Sequence, residues 1–197
     1  MRELLVATRN QKKLQEIKEL LKGLDLKITS VNDYPDLPQI EEDGSTFAAN
    51  ALKKASTIAL CTRKLTLGED SGLEVKALAN RPGVYSARFS GPQATDKKNN
   101  VKLLRMLKGI PLKEREARYR SCAALVDGKK IIGVFSGSCR GLIAFRSRGH
   151  NGFGYDPLFL IPKYNKTFGE LDPAIKAKIS HRAKAFKKVK KILLEIL

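Results

Sequence analysis

An α/β or α+β fold built on a long mixed sheet is predicted by three features of the sequence. Strand-like and helix-like runs alternate from the N-terminus to about Leu107, consecutive strand-forming runs follow, and an amphipathic helix closes the chain. The first strand is expected over Glu3 to Thr8 and a helix from about Asn10 to Lys22, with Leu14, Ile17, Leu20 and Leu21 on one face. A second strand follows near Leu26 to Val31, then the proline-broken loop "NDYPDLPQIEEDG". Asp43 to Ser45 can cap a helix over roughly Thr46 to Thr62. Leu65 to Gly68 reads as a short buried strand that ends at the adjacent acids Glu69 and Asp70. After the loop "NRPGVYSARFSGPQA", Thr95 or Asp96 can cap a third helix.

From Arg115 the pattern becomes β-rich, and Asp127-Gly128 is a two-residue hairpin signal. Asp172-Pro173 supplies an N-cap and a first-turn proline for one final helix. In that helix Ile175, Ile179, Ala183, Phe186, Val189 and Ile192/Leu193 recur in steps of three and four.

No linker, repeat or low-complexity tract divides the chain, so residues 1–197 are read as a single domain. The apolar fraction of 42% suffices for a core, and no apolar run approaches the roughly 20 residues that a membrane span needs. The opening "MRELLVATRN" turns polar too soon for a signal peptide. Cys61, Cys122 and Cys139 form neither a CxxC pair nor an even set, which points to a reducing cytoplasm. A net charge of +18, from 38 Lys and Arg against 20 Asp and Glu, favours an anionic partner. Much of the excess lies on the wet face of the final helix, so charge alone does not make the chain a nucleic-acid binder.

Four stretches carry chemistry. "ATRNQKK" joins a strand to a helix, where free backbone N–H groups, the Thr8 hydroxyl, the Asn10 amide and the Lys12 and Lys13 ammoniums suit a phosphate. It matches neither a P-loop nor a dinucleotide fingerprint. In "EDSG", Glu69 and Asp70 are oxygen ligands of the type Mg²⁺ takes, and Asp70 could accept a proton from water. Glu41, Glu42 and Asp43 offer further acids. In "HNGFGYDP", glycines flank Phe153, whose ring suits a stacked base, and Asp156 could address the ring edge. In "ISHR", His181 and Arg182 place two planar donors inside a lysine-rich helix. Taken singly, each is as consistent with a cap, a tight loop or a packed helix as with a site.

In this order, "ATRNQKKLQE", "EEDGSTFAANALKKA", "EDSGLEVKAL", "RPGVYSARFSG", "GFGYDPLF", "TFGEL" and "ISHRAKA" resemble the inosine triphosphate pyrophosphatase family, also called Ham1-like, over almost the full length. The resemblance implies an elongated two-lobed fold with a long central mixed sheet flanked by helices and a cleft between lobes, and usually a homodimer. It implies Mg²⁺-dependent hydrolysis of ITP, dITP and XTP to the monophosphate and pyrophosphate. By position, Thr8, Arg9, Asn10, Gln11, Lys12 and Lys13 would hold the triphosphate, assisted by Lys54. Asp70 would be metal ligand and proton acceptor, Glu69 and Glu41 further metal ligands, and Ser71 a substrate contact. Phe153, Gly154, Tyr155, Asp156, Lys176, His181 and Arg182 would form the base pocket. Donors from His181 and Arg182 facing position 6 of the purine would donate to a keto oxygen and oppose an adenine amino group, leaving buried groups unpaired at about 1–3 kcal/mol each.

The chain departs from the family pattern at Glu69, where many members have Asp, and at Ala49 and Ile175, where acids are common. Two other classes fit some of the residues: a basic nucleic-acid-binding protein with degenerate catalysis, which would bind in a steeply salt-dependent way, and a pyrophosphatase for other modified nucleotides, which a substrate panel separates.

Overall fold

Parallel pairing opens the chain. In the computed structural model, which describes residues 2–197, β1 (Arg2–Val6) leads through α1 (Gln11–Leu20) to β2 (Leu26–Ser30). The chain then passes through α2 (Phe47–Thr62) to β3 (Leu65–Val75). Both β2 and β3 pair with β1 in parallel, with Leu4, Leu5 and Val6 opposite Leu65, Thr66 and Leu67. The short β4 (Arg81–Pro82) pairs antiparallel with β3, and α3 (Asp96–Met106) follows. Next come β5 (Glu116–Asp127), β6 (Lys130–Ile143), β7 (Phe159–Ile161) and β8 (Lys166–Thr167), then α4 (Pro173–Ile179) and α5 (His181–Ile196). Among the described residues the sheet runs β2-β1-β3-β5-β6-β7-β8, with β4 alongside β3. Parallel pairs at its start and antiparallel pairs β6–β7 and β7–β8 later make it mixed, as expected. Among the described residues, no helix is long and apolar enough to cross a membrane.

The chain divides into two compact units. The first takes residues up to Asp70, Ser121–Gly137 and Arg182–Leu197; the second takes Ser71–Arg120 and Ser138–His181. In the first, the period of two along each strand sorts side chains to two faces. Leu4 and Val6 of β1, Leu65 and Leu67 of β3, and Ala123 and Leu125 of β5 pack with Leu14, Ile17 and Leu21 of the α1 segment and with Phe186, Val189 and Leu193 of α5. The alternate residues Leu5 and Ala7 pack with Ile58 of α2 and Val31. In the second unit Leu73 and Val75 join Leu103, Leu107, Tyr119, Leu158, Phe159 and Phe168 in one buried cluster.

Three elements differ from expectation. The strand expected to stop at the acids continues to Val75, because Leu73 and Val75 keep the alternation and are fully buried. The hairpin turn is Gly128-Lys129 rather than Asp127-Gly128; Gly128 takes the positive φ of 56° that the turn requires, and Asp127 stays in β5. The single final helix is two, broken at Ser180, whose backbone is extended. Its apolar stripe serves two cores: Ile175 and Ile179 pack in the second unit, Phe186, Val189 and Leu193 in the first.

Candidate active site

The site in the first unit is built by a close approach of helix to strand. A Cβ on Gly68 would lie 2.1 Å from the Ala51 carbonyl oxygen and 2.8 Å from the Ala55 nitrogen, so only glycine lets α2 lie against β3 there. That contact sets Asn50 and Lys54, four residues apart on α2, beside Glu69 and Asp70. Gly68→Ala must push backbone against backbone. The expected result is a loss of about 1–3 kcal/mol or more, read as a lower melting temperature, together with loss of the geometry around Asp70.

Because β3 runs through both acids, their side chains leave on opposite faces of the strand. Glu69 follows Leu65 and Leu67 toward the α1 and α5 side. Its side chain is sealed from solvent. One oxygen, Oε1, accepts from Ser121 Oγ at 2.9 Å and from Arg182 Nη2 at 3.1 Å and Nε at 3.3 Å. The other, Oε2, lies 3.0 Å from Lys13 Nζ. Arg182 is 2% exposed and also pairs with Glu16 of α1. The result is a chain of alternating charge: Glu16, Arg182, Glu69, Lys13. Burial works against the Glu69 carboxylate, but the charges of Arg182, Lys13 and Lys54 outweigh it and hold its pKa well below the usual range.

Asp70 follows Thr66 and Gly68 toward α2. Asn50 donates from Nδ2 to Asp70 Oδ2 at 2.9 Å, while its Oδ1 accepts from the Gly44 N–H at 2.7 Å, so the fully buried amide orients the acid and anchors the preceding loop. Lys54 Nζ donates to the Glu69 carbonyl at 2.7 Å and pairs with Glu42. Burial pushes the Asp70 carboxyl above its ordinary value, with the Glu42 charge adding to it, against the pull of Lys54, Lys13 and the Asn50 bond. The neighbouring residue Glu41, expected as a metal ligand from the resemblance, is exposed, and it is Glu42 that joins the ion network.

The corner from Thr8 to Lys13, expected to hold phosphate, is also in this unit. Asn10 caps α1, its Oδ1 accepting from Lys13 N at 3.0 Å, and its own N–H donates to Thr8 Oγ1 at 3.2 Å. Arg9 Nη2 donates to the Leu37 carbonyl at 3.2 Å. Arg9, Asn10, Gln11 and Lys12 are exposed, and Thr8 and Lys13 are half-buried. A helix N-terminus of this kind carries partial positive charge, and Lys13 joins it directly to Glu69.

In the second unit the loop after Asn151 is tied down by Asp156. Its Oδ2 accepts from the Phe153 N–H at 2.8 Å and from Lys176 Nζ at 2.7 Å. A Cβ on Gly152, at φ 77°, would fall 2.0 Å from that oxygen, which is why this position is glycine. Lys176 lies 5.3 Å from the Phe153 ring centre. From α3, Asp96 accepts the Gly154 N–H at 2.9 Å and Asn100 donates to the Gly154 carbonyl at 3.0 Å. His181 stacks on Tyr119, ring centres 4.5 Å apart and 8° from parallel. Phe153, Gly154, Tyr155, Asp156, Lys176 and His181 therefore gather in this unit, Ser71 is half-buried on β3, and Arg182 belongs to the ion chain of the first. Sequence reading passed over Asn50, Ser121, Glu16 and Tyr119; the signal that could have found Asn50 is its step of four to Lys54 on a helix facing the acids.

As for a metal, no group of three or more His, Cys, Asp and Glu among the described residues forms a ready cage. The donor set fits a cation that takes few protein oxygens and completes its shell with phosphates and water, as Mg²⁺ does. Asp70 and Glu42 interact electrostatically, and these two acids could supply the protein oxygens for it. Glu69, with both oxygens engaged by cations and sealed from solvent, fits the role of counter-ion.

Fold and site together define an α/β protein in which the capped start of a helix is joined by Lys13 to a buried carboxylate. The chain belongs to the Ham1 family, which it matches over residues 4–192. It is 48% identical over 191 residues to the dITP/XTP pyrophosphatase of Desulforamulus reducens, covering 97% of this chain and 95% of that protein. It is 49% identical over 187 residues to the one from Geobacter sulfurreducens, covering 94% and 93%. Among solved structures it is similar to a HAM1 protein from Coxiella burnetii, with TM-score 0.90 and 39% identity over 99% of this chain and all of that one.

Proposed function

We propose that this protein hydrolyses ITP, dITP and XTP to the monophosphate and pyrophosphate with Mg²⁺. The observation that carries the reading is the Lys13–Glu69–Asp70–Lys54 centre beneath the capped start of α1, in a chain that shares nearly half its residues with dITP/XTP pyrophosphatases. Asp70, held by Asn50 and raised in pKa by burial, accepts the proton of the attacking water. Asp70 and Glu42 would hold the metal, which when bound neutralises phosphate charge and polarises the anhydride. Lys13 and the Thr8–Asn10 corner bind phosphate oxygens; Glu69 keeps Lys13 in place. By the family resemblance, the purine would stack on Phe153, with Asp156, Lys176 and His181 at its edge. The odd set of three cysteines, Cys61, Cys122 and Cys139, supports a reducing cytoplasm, and a homodimer is proposed from the family resemblance.

Purified protein with Mg²⁺ is expected to release pyrophosphate from ITP or XTP far faster than from ATP. Equal rates, or none, would overturn the assignment.

A further inference from the structure

Tyr119 links the residues assigned to the base. It lies on β5, 6% exposed, with its ring packed against Phe159 (centroids 4.6 Å) and the His181 imidazole (4.5 Å, 8°). The phenol oxygen accepts the Tyr155 N–H at 3.1 Å and is hydrogen-bonded to the Asp156 carboxylate. Asp156 in turn fixes the Phe153 N–H and the Lys176 ammonium. One buried side chain therefore touches His181, Tyr155 and Asp156, and reaches Phe153 and Lys176 through a single further bond. The nearly parallel ring also fixes the tilt of the imidazole, and tilt decides where its ring nitrogens point.

Resting on the proposed function, we infer that Tyr119 is a positioning residue for purine discrimination: its ring sets the plane of His181 and its hydroxyl sets Asp156. It makes no contact with substrate in this role. The phenol stays protonated, since burial pushes its pKa well above the usual value with the Asp156 charge adding to it, so it serves as a donor throughout the working range.

Tyr119→Phe keeps the stack and removes the hydroxyl; Tyr119→Leu removes both. For each, kcat and KM are measured with ITP and with ATP, alongside the affinity for inorganic tripolyphosphate, which has no base, and the melting temperature. For Tyr119→Phe the expected result is a KM for ITP raised about tenfold, kcat within about threefold, and an ITP-to-ATP ratio of kcat/KM lowered about tenfold, with tripolyphosphate affinity unchanged. Tyr119→Leu should lower the ratio further. An active wild type whose ratio survives Tyr119→Phe, or a variant that loses tripolyphosphate affinity in step with its ratio, would overturn the inference. A wild type that turns over no purine triphosphate would overturn the function beneath it and the inference with it.

Discussion

Asp70→Asn is expected to lower pyrophosphate release by about 10²–10⁴-fold while leaving the melting temperature unchanged or slightly raised. The two parts have one cause. The Asp70 carboxyl is buried and titrates above its ordinary value, so its ionisation at neutral pH costs folding free energy. That cost grows as pH rises through the carboxylate range, and an amide removes it. Asn is nearly the same shape and leaves the packing of β3 on α2 in place, but it cannot take a proton from water. Steady-state kinetics and a thermal melt at pH 7 test both parts. Activity that survives would place the proton acceptor elsewhere, and a melting temperature that falls sharply would make Asp70 a structural acid.

Glu69→Gln, one residue away, should do the opposite: unfold easily, whatever its effect on rate. The side chain sits between Arg182 and Lys13, and removing its charge leaves two cations facing a neutral group inside the protein. Breaking one partner out of a buried pair costs about 3–5 kcal/mol, or a melting-temperature drop of roughly 10 °C for a chain of this size. Because the folded pKa lies well below the unfolded value, this contribution is complete above the ordinary carboxylate range and is lost progressively as pH falls below it toward the folded value. The gap in stability between wild type and Glu69→Gln should therefore narrow on acidification. Equal melting temperatures at pH 7 would remove Glu69 from its role as counter-ion.

The pair of acids shows how far residue patterns carry. That Glu69 and Asp70 stand together among lysines is plain in the sequence, and so is the buried strand segment from Leu65 to Gly68 that leads into them. Their division of labour is not. It follows from β3 continuing to Val75, which turns the two side chains to opposite faces, and Leu73 and Val75 are the local signal for that continuation. Glu42 was legible only as one of three acids in a loop; its pairing with Lys54 depends on where α2 lies. Arg182 read as a planar donor for a base, whereas the fold spends it on Glu69 and Glu16, 113 and 166 positions away in the chain.

The sequence by itself determined the class: the strand–helix order, the capped corner at Thr8–Lys13, the loop of Phe153 to Asp156 and, through seven motifs in order, the family they resemble. The first three are local features, set by periodicity, capping chemistry and spacing within a few residues. Only the tertiary structure decided which charge meets which, because ion pairs such as Lys13–Glu69 and stacks such as Tyr119–His181 join residues brought together by packing. No periodicity records such a meeting. For Asn50 and Lys54 beside Asp70 it is set by how closely α2 can approach β3 at Gly68, a residue without a side chain.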